Sequence, residues 1–219
     1  MSFKTLIGAA SAMAVLLTAP SVFAHDVEVE VEESYDLKGF DKITIEGVYH
    51  LDVKVGDGFS VETSGTKKDM DKIHVYVENG ALVLGRKDNE GRKNNNNHGV
   101  NAVVTLPSLK AMEIAGVVSG DVSRIDTDEF ELEFAGVGEL DLSGKCGDLV
   151  IDMAGIGELD AKDLKCRDVE VNLAGMGEAS VYASDRVDAN AAGMGQIDVY
   201  GNPDVVQKSS AFLSKVHIR

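Results

Sequence analysis

Tryptophan is absent from this sequence, and aromatic residues make up only 5% of it. That disfavours a carbohydrate cleft built on stacked rings. Basic residues are also scarce: 21 lysines and arginines face 37 acidic residues, for a formal charge of −16. Nucleic-acid binding needs a basic patch to displace counterions, so the balance argues against it. It argues equally against anionic membrane surfaces; its plain consequence is solubility. No Gly-x-Ser-x-Gly nucleophile motif occurs. The five histidines, His25, His50, His74, His98 and His217, are scattered without metal-ligand spacing.

Long apolar runs are missing too, except at the start. Lys4, the apolar stretch 6–17 and the small-residue site Val22-Phe23-Ala24 read as a secretory signal over residues 1–24. The apolar core of that signal is short for a bilayer span. Cleavage before His25 would remove Lys4, leaving 20 basic against 37 acidic residues, a charge of −17. An N-terminal histidine is a copper ligand when a second histidine joins it, but none stands at a matching spacing. No cysteine follows the cleavage site, so a lipid anchor is not expected. The mature chain is expected to be exported, periplasmic or at the cell surface, with no membrane insertion after signal cleavage. It is long enough for one domain.

What the chain has is a repeat. Ala115-Gly116-Val117-Val118, Ala135-Gly136-Val137-Gly138-Glu139 and Ala154-Gly155-Ile156-Gly157-Glu158 are followed by Ala174-Gly175-Met176-Gly177-Glu178 and Ala192-Gly193-Met194-Gly195-Gln196. Gly116, Gly136, Gly155, Gly175 and Gly193 lie 20, 19, 20 and 18 residues apart. A period near twenty with no helical pattern inside it marks a solenoid over residues 113–201. Phe130-Glu131-Leu132-Glu133-Phe134 and its counterparts place apolar residues at every second position, the period of a half-buried strand. Gly136, Gly138, Gly155, Gly157, Gly175, Gly177, Gly193 and Gly195 are read as bends, where the lack of a Cβ permits φ > 0 or close backbone approach. A dinucleotide-binding reading of Gly-x-Gly fails, because no helix follows and the motif recurs. The fold class expected is all-β, a single-stranded parallel β-solenoid with a hairpin-rich N-terminal half.

Ahead of the repeats, residues 25–34 are a short acidic segment that is either a leading strand or a charged tail. An alternating stretch from Phe40 to Val55 is broken at Gly47. Gly56-Asp57-Gly58 then turns into Phe59-Ser60-Val61-Glu62-Thr63, read as the returning strand of a hairpin. Residues 70–74 are a short connector. Ile73 to Val77 and Ala81 to Leu84 form a second hairpin around Glu78-Asn79-Gly80. Residues 86–99 are low-complexity and polar, read as a loop. Residues 100–106 are a strand ended by Pro107.

The ordered set Phe40-x-x-Ile43, Gly47-Val48-Tyr49, Asn79-Gly80-x-Leu82, Leu106-Pro107-x-Leu109, the Gly-x-Gly rungs and Tyr200-Gly201-x-Pro203 resembles the putative auto-transporter adhesin, head GIN domain family of exported bacterial proteins. The resemblance covers about residues 35–206. It implies a right-handed parallel β-helix and a role in adhesion, and it carries over no catalytic residue. The Asn-rich loop and the basic tail 207–219 depart from the family pattern; the tail is read as a cap for the open end of the solenoid.

Cys146 and Cys166 occupy one repeat position, each eight residues before its Ala-Gly, with Thr127 and Ser184 in that column of the flanking rungs. Rungs lie about 4.8 Å apart, a span a disulfide tolerates, and an exported protein sees an oxidising compartment. A Cys146–Cys166 bridge is expected. Asp121, Asp141, Asp160 and Asp198 form a second column, interrupted by Ser180. Stacked carboxylates raise the question of Ca²⁺, but the nonapeptide of calcium-binding β-rolls is absent, and acidic residues also keep a solenoid's outer face soluble. No cofactor, metal or catalytic residue is assigned. The expected function is non-enzymatic: an envelope interaction or adhesin-like module that presents a stiff acidic face to a protein or glycan surface. The alternatives are a periplasmic structural or stress-related protein without adhesive role, and a β-helix enzyme acting on polysaccharides.

Overall fold

The computed structural model describes residues 29–87, 99–211 and 213–219. The signal reading 1–24, His25 and most of the polar loop, with His98, lie outside the described residues. Of the described residues 75% are in strands and 2% in helix, and they wind into a β-solenoid of about 5 turns.

The strands before the repeats are β1 (Glu30–Tyr35), β2 (Lys42–Ile45), β3 (Val48–Val55), β4 (Ser60–Thr66), β5 (Ile73–Glu78), β6 (Ala81–Arg86), β7 (Val100–Leu106) and β8 (Ala111–Ile114). One helical turn, α1 (Lys67–Met70), follows β4, and the Thr66 hydroxyl caps it by accepting from the Asp69 amide at 3.2 Å. The repeats are β9 (Val117–Phe134), β10 (Val137–Met153), β11 (Ile156–Leu173), β12 (Met176–Ala191) and β13 (Met194–Tyr200), and β14 (Val205–Ser210) and β15 (Ser214–Ile218) complete the chain.

Each of β9 to β12 spans two arms of a turn. The first arms stack in parallel as β3, β9, β10, β11, β12, β13, β15. The second arms stack as β6, β2, β8, β9, β10, β11, β12, β14. Rungs of unequal length stay in register because the slack is taken up between the arms: the pairing shifts at Leu142/Gly144, Asp141/Ser143 and Ala161/Lys165. At both arms the alternation read from sequence holds, one side chain in and the next out.

The inward columns are apolar and thin out along the axis. Phe134, Met153, Leu173 and Ala191 lie over one another, as do Leu132, Ile151, Val171 and Ala189, all buried. Each large side chain contributes about 1.5–3 kcal/mol on burial. At the wide end Tyr49 is buried, and its hydroxyl donates to the Gly85 carbonyl at 2.9 Å. Burial pushes that phenol well above its ordinary range.

Two N-terminal readings meet the structure differently. The β5–β6 hairpin forms, with Asn79 and Gly80 both at positive φ (51° and 79°) in its turn. The expected β3–β4 hairpin does not. β7 lies between them, parallel to β3 and antiparallel to β4. The solenoid requires a parallel neighbour for β3, so β4 is displaced outward and pairs with β1 as well. Residues 30–35 are thus a strand of this sheet, with Glu30, Glu32 and Glu33 keeping its edge charged. The tail adds β14 on β12 and β15 on β13, so it extends the stack by a further rung.

Candidate functional site

The outer face of the first arms has a regular composition. Alternation sends residues i, i+2 and i+4 of each arm outward, and the parallel register repeats them rung after rung. The rows read Val117, Ser119, Asp121; Val137, Glu139, Asp141; Ile156, Glu158, Asp160; Met176, Glu178, Ser180; and Met194, Gln196, Asp198. Three columns result: one apolar, one glutamate-rich and one aspartate-rich. The apolar column is wet, with Val117, Val137, Ile156, Met176 and Met194 exposed at 45%, 48%, 48%, 40% and 51%.

The residue between the apolar and glutamate columns is glycine in four rungs, Gly138, Gly157, Gly177 and Gly195. Together with Glu139, Glu158 and Glu178 these line a groove of about 700 Å³ beside the apolar column. On the column's other side the Ala-Gly steps line a second, of about 620 Å³, and Leu213 reaches both.

Charge on this face is concentrated in the middle rungs. The Asp141 carboxyl is held above its ordinary range, first by partial desolvation and then by the charges of Asp121 and Asp160, with Lys162 offsetting part of this. Lys162 bonds Asp160 through both its ammonium and its backbone N–H. Glu139 and Glu158 make no ion pair among the described residues. Toward the end of the stack the character changes: Arg219 donates to Asp198 at 2.8 Å, and Lys215 and His217 stand over Gln196 and Asp198. At the other end the His50 ring meets the Ser119 hydroxyl at 2.6 Å.

The aspartate column read from sequence is therefore in register, with Asp52 added below Asp121. Among the described residues no group of three or more His, Cys, Asp or Glu side chains is arranged to hold a metal. His50, His74 and His217 lie on separate strands, β3, β5 and β15.

The eight bend glycines share one constraint. A Cβ on Gly136, Gly155, Gly175 or Gly193 would run into the backbone carbonyl of the bend glycine one rung back, and one on Gly138, Gly157, Gly177 or Gly195 would do the same to Val118, Gly138, Gly157 or Gly177. Gly138 also sits at φ 144°, a conformation side chains disfavour. Close stacking explains all eight, whereas positive φ does not, since Gly195 lacks it.

Cys146 and Cys166 are paired across β10 and β11 and joined by a disulfide, with a Cα–Cα distance of 4.5 Å. Thr127 precedes them in the column, but the next place is Ala183, not Ser184. The register between β11 and β12 shifts between Cys166 and Asp168, which pair with Ala183 and Arg186, so that Ser184 and Asp185 together stand opposite the single residue Arg167.

Sequence reading missed the apolar column. Its signal was present: the residue between the glycines is Val, Ile or Met in every copy, at a bend where polar residues are usual. The second arms present a different outer face, where Asn172 donates to Asp152 at 3.0 Å and Asn190 to Asn172 at 3.2 Å.

Known proteins resemble this chain in fold and sequence. The family model described as "Putative auto-transporter adhesin, head GIN domain" matches residues 39–203. A crystal structure of a putative adhesin from Bacteroides fragilis has a TM-score of 0.71 at 21% identity, over 88% of this chain and 98% of that one. A putative lipid binding protein from Parabacteroides distasonis has a TM-score of 0.47 at 20% identity, over 86% and 96%. A putative adhesin from Parabacteroides merdae has a TM-score of 0.46 at 15% identity, over 86% and 95%. At 21% identity the likeness to the Bacteroides fragilis protein is one of fold. No curated protein matches the sequence.

Proposed function

Since the chain belongs to the putative auto-transporter adhesin, head GIN domain family, we propose that it is a non-enzymatic, adhesin-like interaction module of the bacterial envelope, working through the outer face of its first arms. The observation that carries this reading is the column of five exposed apolar side chains in register, from Val117 to Met194, beside an acidic ladder. Contiguous exposed apolar surface rimmed by polar groups marks a docking site. The rungs hold it rigid, so a partner can bind through many weak contacts without ordering the surface first. No step of this role needs a nucleophile, a general base or a metal.

Export places such a module either at the surface or in the periplasm. Protease treatment of intact cells, set against osmotic-shock release, separates the two. Loss of the protein from intact cells, with capture of beads coated in it by sibling or host cells, supports adhesion. Release by osmotic shock alone, with inert beads, removes adhesion and leaves a periplasmic role.

A further inference from the structure

We propose that this face receives a cationic amphipathic chain, a peptide segment in which lysines or arginines alternate with apolar side chains. The inference rests on reading the face as an interaction surface and names the class of its partner.

Two columns set the requirement together. The apolar column runs through five rungs, about 19 Å at 4.8 Å per rung. A partner that left it wet would forgo the hydrophobic gain. The glutamate column stands two residues along each arm, about 7 Å away, and the aspartate column beyond it. A purely apolar partner would strip water from Glu139 and Glu158 without replacing it, which is unfavourable for charged groups. A purely ionic partner would leave Val137, Ile156, Met176 and Met194 exposed. An extended chain of about six residues covers 19 Å, and its alternating side chains can reach the apolar column on one side and the carboxylates on the other.

Charge argues against other occupants. An anionic lipid surface would meet the carboxylates of Glu139, Asp141, Glu158 and Asp160. A second copy docked face to face would bring the same columns against each other. Asp141 holds its proton more tightly than an ordinary carboxyl, first through desolvation and then through the charges of Asp121 and Asp160; an incoming ammonium or guanidinium relieves the second of these. The change to Lys215 and His217 past Gln196 and Asp198 gives the groove a direction. The partner's basic stretch lies over β10 and β11, and its neutral end points toward β15.

The test uses the purified protein and a fluorescein-labelled peptide of about eight residues alternating leucine and lysine, read by anisotropy. Controls replace lysine by glutamate, or leucine by serine. Expected is binding at least about tenfold tighter than either control, weakening steeply between about 50 and 300 mM salt. Ile156→Ser/Met176→Ser and Glu139→Gln/Glu158→Gln each weaken it about tenfold. Glu131→Gln/Glu170→Gln, on the second arms, changes it less than about twofold. Unchanged melting of each variant shows that the fold is intact.

Equal binding of the serine–lysine peptide, or equal loss with the second-arm variant, overturns the proposal, because the protein would then be a polyanion only. Sedimentation showing a dimer that the Ile156→Ser/Met176→Ser variant disperses assigns the face to a second copy and also overturns it. If the leucine–lysine peptide fails to bind while that variant still abolishes capture of coated beads, the partner class is wrong and the interaction reading stands. If the peptide fails and the beads stay inert, both fail.

Discussion

A Cβ on Gly157 would fall on the carbonyl oxygen of Gly138, one rung back, because the two glycines stack without room between their backbones. The predicted consequence is that Gly157→Ala destabilises by about 3 kcal/mol, combining overpacking with a disfavoured backbone conformation. Ile156→Ala next to it, on an exposed side chain, costs less than about 1 kcal/mol. Urea melts of the two variants check this, and equal midpoints would refute the stacking constraint.

The Cys146–Cys166 bridge closes a loop with a sequence separation of 20 and ties two rungs together. Chain entropy for a loop of that size gives about 3 kcal/mol, or a melting-temperature loss of roughly 10 °C for Cys146→Ser/Cys166→Ser. Alkylation should add two groups to the denatured protein only after reduction. Labelling without reductant would mean that the thiols are free.

Asp141 makes stability depend on pH in an uncommon direction. Its folded value is raised above the ordinary 3.8, so in that window the folded state holds a proton the unfolded chain has released. Stability from this group therefore falls as pH rises from 3.8 through the folded value, and returns on acidification. Asp141→Asn should raise the melting temperature at pH 7, with the gain shrinking toward pH 4 and in high salt. A lower melting temperature at pH 7 would contradict it.

Asp198 is buried, and its charge is answered by Arg219 at 2.8 Å and by the Gln196 side-chain amide at 3.1 Å. Removing the cation leaves a buried carboxylate short of a partner. Arg219→Gln should lower the melting temperature more than Lys145→Gln, whose pair with Asp126 is exposed at both ends. Adding Asp198→Asn to Arg219→Gln should recover most of the loss. Equal effects of the two single substitutions would show that burial is irrelevant here.

The solenoid was legible because its physics repeats. Alternation such as Leu149 to Met153 declares a strand, and glycines at a near-constant period declare close stacking, so each copy reinforces the others. Cys146 and Cys166 were pairable on the same ground. Two features were not. Hairpin reasoning joins neighbours in the chain, so Phe59 to Thr63 was set against β3, when the place beside β3 goes to β7, distant in sequence. Val117, Val137, Ile156, Met176 and Met194 each look like a single exposed apolar residue, and only stacking makes them one surface. Ser184 was misplaced in its column for a smaller reason: counting back from Ala-Gly cannot see the extra residue of β12, where Ser184 and Asp185 face Arg167 alone.

The most direct test of the account is photo-crosslinking in living cells, with benzoylphenylalanine placed at Ile156 or at Glu170, two outward positions of the same strand β11. The account predicts discrete adducts from position 156 and none from position 170. Adducts of equal strength from both, or from neither, would contradict it.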